Sequence, residues 1–69
     1  MKLSDMDNYD VADAIDRYVR GERDRAILKR RLIDRIGQEK LAEEFQLSVS
    51  QVKRILIKAQ EQLFRHIDI

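Results

Sequence analysis

The chain has no cysteine, no proline and no tryptophan, and only two glycines and one histidine in its 69 residues. Without cysteine there is no disulfide, and a lone histidine offers no structural metal site, so two usual supports of so small a domain are missing. This length fills only one hydrophobic core; the chain is read as one domain resting on helix packing or on a partner. The lack of proline and glycine, beside 39% charged residues, fits exposed helices around a narrow core, and β structure is not expected. Apolar runs are too short to span a bilayer, and no basic segment leads into an apolar stretch at the N-terminus. No membrane association is expected, and the expected location is the cytoplasm.

Catalytic and cofactor chemistry lack their parts. His66 has no second histidine or cysteine for a metal and no serine or cysteine placed for nucleophilic attack. Glu43 and Glu44 are adjacent on a helix and point to different sides, which denies them a shared acid–base role. Tyr9 and Tyr18 suit helix packing better than a base-stacking platform. Neither an enzyme, a cofactor nor a metal is expected.

The charges that are present are sorted. Residues 1–19 hold Asp5, Asp7, Asp10, Asp13 and Asp16 against Lys2 and Arg17, a net −3, whereas the remainder is +4, so the whole is +1. Such asymmetry implies an acidic end and a separate basic surface suited to a polyanion.

Four helices are predicted. Val11, Ala14, Ile15 and Tyr18 recur at helical spacing behind the capping candidates Ser4, Asp5, Asp7, Asn8 and Asp10, and Gly21 supplies a stop. A second helix is expected over 22–36, with Leu28, Leu32 and Ile36 on one stripe and Gly37 closing it. Leu41, Ala42 and Phe45 mark a helix of about two turns, too short to stand alone. Ser48 and Gln51 fit a capping box that starts the last helix. There Val49, Val52, Leu56, Ala59, Leu63 and Ile67, joined by Ile55, form an apolar stripe, and the helix is expected to reach His66. Residues 1–9 are expected as a flexible acidic N-terminus and residues 10–69 as a single helical DNA-binding domain.

From Gln38 onward, Leu41, Phe45, Leu47, Val52 and Ile55 are apolar at helix-turn-helix spacing, with the small Ala42 allowing close helix crossing. The expected fold is therefore an all-α, four-helix domain whose C-terminal helix-turn-helix, about 38–66, ends in a long recognition helix. Such a helix enters a DNA major groove by its N-terminal end. Gln46 stands where this turn often has glycine, which costs roughly 1 kcal/mol if its backbone is left-handed.

The run "RDRAILKRRLIDRIGQEKLAEEFQLSVSQVKRILIKAQEQLFRH", residues 23–66, resembles the fourth conserved region of bacterial RNA polymerase sigma factors. The likeness lies in the helix before the turn, in "LAEEF", in the Ser-started "SVSQVKRI", and in Ala59 and Leu63. It implies a reader of a promoter element. The family's region that melts the −10 element has no counterpart here, which suggests a stand-alone small regulator of phage or mobile-element type, or a fragment of a split sigma factor.

By this resemblance the base-contacting residues are Val49, Ser50, Lys53 and Arg54. Arg54 can grip a guanine edge with its planar fork, Lys53 does so less strictly, and Val49 reaches only a thymine methyl. Gln38, Lys40, Gln51 and Lys58 are the expected phosphate contacts, ahead of Arg30 and Arg31. Ile57 and Phe64, seven residues apart beside the core stripe, are expected as a partner surface if the first helix leaves them uncovered. The expected partners are double-stranded DNA and, beside it, RNA polymerase or a second copy in a homodimer. The competing reading is a protein-interaction module of the same fold that binds polymerase or a sigma factor without reading DNA.

Overall fold

In the computed structural model, which describes residues 2–68, the chain forms four helices: α1 (Asn8–Tyr18), α2 (Glu22–Leu32), α3 (Gln38–Phe45) and α4 (Val49–Phe64). A 3-10 turn, Leu3–Asp5, precedes them, and no strand occurs among the described residues, only an isolated parallel bridge between Lys2 and Asp68. The all-helical expectation and its four elements are met.

Each helix starts and stops for a local reason. Asp7 caps α1, its carboxylate accepting the Asp10 amide at 2.8 Å. Gly21 sits at the N-cap of α2 with φ 90°, a backbone that side-chain-bearing residues rarely adopt, although a Cβ there would meet nothing closer than 3.8 Å. The constraint is thus conformational and not steric crowding. α2 ends at Leu32, four residues before the expected Ile36, because the chain turns left-handed at Arg35, φ 57°. The Ile36 amide then donates back to the Arg30 carbonyl at 3.2 Å, and the Arg31 guanidinium donates to the Ile36 carbonyl at 3.1 Å. Gly37, expected to close that helix, instead precedes α3 as its N-cap with an ordinary φ of −71°. α4 ends at Phe64, two residues short of His66.

The core is wholly apolar. Its fully buried members come from every helix: Ile15 from α1, Ile27 and Leu28 from α2, Leu41 from α3, and Val52 and Leu63 from α4. Each such side chain contributes roughly 1.5–3 kcal/mol of burial. α4 is the common wall, packed against α1, α2 and α3, which is why its stripe of Val52, Ile55, Leu56, Ala59 and Leu63 is continuous. Ile67 continues the stripe past the end of the helix.

In the N-terminal segment two residues, Leu3 and Met6, lie against the helices, while Lys2, Ser4, Asp5 and Asp7 are exposed. Leu3 and Met6 pack half-buried against the core, the Leu3 amide donates to the Asp68 carbonyl at 2.6 Å, and α1 begins at Asn8. The apolar side chains at 3 and 6 bury surface there that would otherwise face water. Met1 lies outside the described residues.

Candidate nucleic-acid interface

The turn between α3 and α4 is fixed from both sides. Gln46 adopts the left-handed conformation, φ 56° and ψ 47°, so of the two geometries open to a non-glycine residue there the chain takes the strained one. The Gln46 amide donates to the Glu43 carbonyl at 3.3 Å and the Leu47 amide to the Ala42 carbonyl at 2.9 Å. These are the two bonds of a Schellman stop, and they satisfy carbonyls the helix end would leave open. Two residues later the capping box forms: Ser48 Oγ accepts the Gln51 amide at 3.1 Å, while the Ser48 amide donates to Gln51 Oε1 at 2.8 Å.

With the α4 stripe turned inward, Ser50, Lys53, Arg54 and Ile57, spaced i, i+3, i+4 and i+7, share its outer face and are all exposed. Val49 is half-buried against the core, and together with Arg31, Gly37, Gln38, Glu39 and Lys53 it lines an open depression of about 500 Å³ where the starts of α3 and α4 meet. On the other flank Arg54, Arg23, Leu47, Gln51 and Ile55 line a smaller depression of about 150 Å³. The structure therefore brings Val49, Ser50, Lys53 and Arg54 to one end of α4, with Val49 the least accessible of them.

Of the expected phosphate contacts, Lys40 and Lys58 are exposed, and Gln38 is half-buried at the first position of α3 beside an N-cap that makes no side-chain bond. Gln51 is only half available: its Oε1 is committed to the cap, which leaves its amide nitrogen as a donor. Phe64 is half-buried against the core, so the strip expected from Ile57 and Phe64 reduces to Ile57, 59% exposed. α4 turns Phe64 toward the edge of its packed side, a rotation that a spacing of seven does not register over a straight helix.

Ion pairing divides the cations. Arg17 pairs with Asp13, Arg23 with Asp24, Lys29 with Asp16, and Arg30 with both Asp34 and Glu44. Hydrogen bonds to Glu44 first, and then to Asp34, hold the Arg30 guanidinium above the usual arginine range. Among the described residues no cation beyond Arg30 has an acidic partner, so Lys40, Lys53, Arg54 and Lys58 present uncompensated charge. Glu44, which the sequence could only exclude from catalysis, is the acid that removes Arg30 from the free set.

Two basic residues went unassigned or underrated in the sequence: Arg23, which joins Arg54 across α2 and α4, and Arg31, which joins Lys53. No local pattern marks either pairing, because Arg54 and Lys53 lie more than twenty residues further along the chain. His66 stacks on Tyr18, ring centroids 3.9 Å apart at 11°. No cluster of metal-binding side chains occurs among the described residues, and no helix there is long and apolar enough to cross a membrane. No protein-family model matches the chain, and neither the curated proteins nor the solved structures contain a match.

Proposed function

We propose that this chain is a sequence-specific regulator of transcription that binds double-stranded DNA, with α3 and α4 as a helix-turn-helix and α4 as the recognition helix. The observation that carries the reading is the division of the cations: Arg17, Arg23, Lys29 and Arg30, four of the seven before residue 31, are ion-paired within the fold, while among the described residues Lys53, Arg54 and Lys58 on the exposed side of α4 and Lys40 in α3 have no acidic partner. Unpaired cations beside an exposed helix end are what a phosphate backbone attracts, and side chains in the first turns of that helix reach base edges. Ser50, Lys53 and Arg54 read the bases in this scheme and Val49 meets a thymine methyl at the margin. Lys40 and Lys58, with Gln38 and the spare Gln51 amide, hold the backbone. The resemblance to sigma factor region 4 supports a promoter element as the target.

Selection of bound fragments from random DNA, followed by fluorescence anisotropy on the winning sequence, tests this directly. A recovered consensus that outcompetes scrambled DNA supports it, and binding that ignores sequence refutes it.

One observation favours a second reading, a module that binds RNA polymerase or a sigma factor: Ile57 is apolar and exposed in the middle of the same face. Capture of polymerase by the immobilised protein, undiminished by Lys53→Ala and Arg54→Ala but lost in Ile57→Ala, would favour that module over DNA reading.

A further inference from the structure

We propose that the protein self-associates head to tail, the α1 face around Tyr9 of one copy docking on the α4 face around Ile57 of the next. Tyr9, 81% exposed, and Ile57, 59% exposed, are the two large hydrophobic residues that stand out in solvent among the described residues. Their surroundings are opposite in charge. On α1 the inward turn of Val11, Ala14 and Ile15 leaves Tyr9, Asp13 and Asp16 on the outside. On α4 Ile57 is flanked by Lys53, Arg54 and Lys58, none of them ion-paired among the described residues.

The order of the charges along each helix sets the register. On α1 the acids follow the apolar residue, Asp13 one turn after Tyr9; on α4 the base Lys53 precedes it, one turn before Ile57. An antiparallel crossing that seats Tyr9 on Ile57 therefore brings Asp13 to Lys53 and Asp16 toward the start of α4. The contact stops at Asn8, where the chain leaves the helix for the extended Met6 and Asp7, so Glu61, one turn further along α4, meets no continuation of α1. Asp13 already touches Arg17 at 3.1 Å and Asp16 touches Lys29 at 2.7 Å, but both carboxylates are exposed and such surface pairs contribute little, so each is free to exchange or share its partner.

A two-fold symmetric dimer through either face is disfavoured by the same charges, since it sets Lys53, Arg54 and Lys58, or Asp13 and Asp16, against themselves. The heterologous contact avoids this. An eleven-residue helix is about 16 Å long, and one helix face on another stays below about 1,200 Å² of buried surface, so the association is weak, reversible and sensitive to salt. It does not rest on the DNA reading, although it covers the same α4 face.

Sedimentation velocity across protein concentration, in low and high salt and without DNA, tests it. The parent is expected to gain mass with concentration in low salt and to be monomeric in high salt. Tyr9→Ala and Ile57→Ala truncate exposed side chains outside the core, so circular dichroism should match the parent, while each alone loses at least about tenfold in association. Mixed in equal amounts, the two variants complement: the intact Tyr9 face of one meets the intact Ile57 face of the other, giving dimers and nothing larger. A parent that stays monomeric at every concentration overturns the proposal. So does either variant that associates as strongly as the parent, or a mixture no heavier than its components.

Discussion

At residue scale, the two non-glycine positions with positive φ, Arg35 and Gln46, are where the backbone holds strain. A left-handed conformation costs an L residue about 1–2 kcal/mol, set here against the two amide bonds that close α3 after Glu43 and Ala42. Gln46→Gly removes the strain but loosens the unfolded chain, and the balance is a gain of about 0.5–1 kcal/mol. In a domain of this size that raises the melting temperature by about 2–8 °C, measurable by thermal circular dichroism. The reverse experiment is Gly21→Ala, which introduces a Cβ at φ 90° and lowers stability by about 1 kcal/mol or more although the space is open. A gain in Gly21→Ala or a loss in Gln46→Gly would mean that side-chain contacts, not backbone strain, govern these turns.

At the scale of elements, α3 is the dependent one: eight residues do not sustain a helix alone, and Leu41 and Ala42 are its buried anchors. Leu41→Ala should cost about 2–5 kcal/mol, a large share of the roughly 3–10 kcal/mol available to a chain this long, and calorimetry should find a much lowered or vanished transition. Ser48→Ala, which removes one arm of the capping box, should cost about 1 kcal/mol while leaving the helix content unchanged. That box was legible in the sequence because its partners are three residues apart, and so were the stripes of α1 and α4, whose periodicity is a local property. What escaped depended on distant partners. The early end of α2 follows from the left-handed Arg35 and the bonds around Ile36, and the neutralisation of Arg30 needs Glu44, fourteen residues on. The docking of Leu3 requires the far end of the chain at Asp68. In the candidate site, the outer face of α4 followed from helical spacing, whereas the half-buried Phe64 and the approach of Arg23 and Arg31 depend on how whole helices pack.

For the whole molecule the question that the proposed function raises is how a net charge of +1 is compatible with binding a polyanion. Charge separation is the answer this fold permits, since Asp13 and Asp16 of α1, with Asp24, Asp34 and Glu44, pair with cations of α1 and α2, while among the described residues the cations of α3 and α4 have no acidic partner. If Lys40 and Lys58, the two cations assigned to the backbone, each neutralise one phosphate, a bound copy should lose affinity with a slope of about −2 in log K against log salt. Lys40→Ala should flatten that slope by about one and weaken all sequences alike. Arg54→Ala should in addition cost about 1–3 kcal/mol of preference for the selected site. Deleting residues 1–8 would not isolate the acidic end, because it removes the Asp7 cap and the packing of Leu3 and Met6. Asp5→Asn is the cleaner change: Asp5 is exposed and pairs with no cation among the described residues, so its neutralisation should tighten non-specific binding at low salt and leave the melting temperature unchanged. So few charged phosphate contacts give weak binding at physiological salt, and under this reading occupancy of a site calls for a second protein on the same DNA, whose contacts add to these by proximity. A slope of about −2 for an isolated copy, doubling when two copies occupy one fragment, is the expected outcome of anisotropy titrations over a salt series. A slope near zero would show that the free cations of α3 and α4 do not meet phosphate at all.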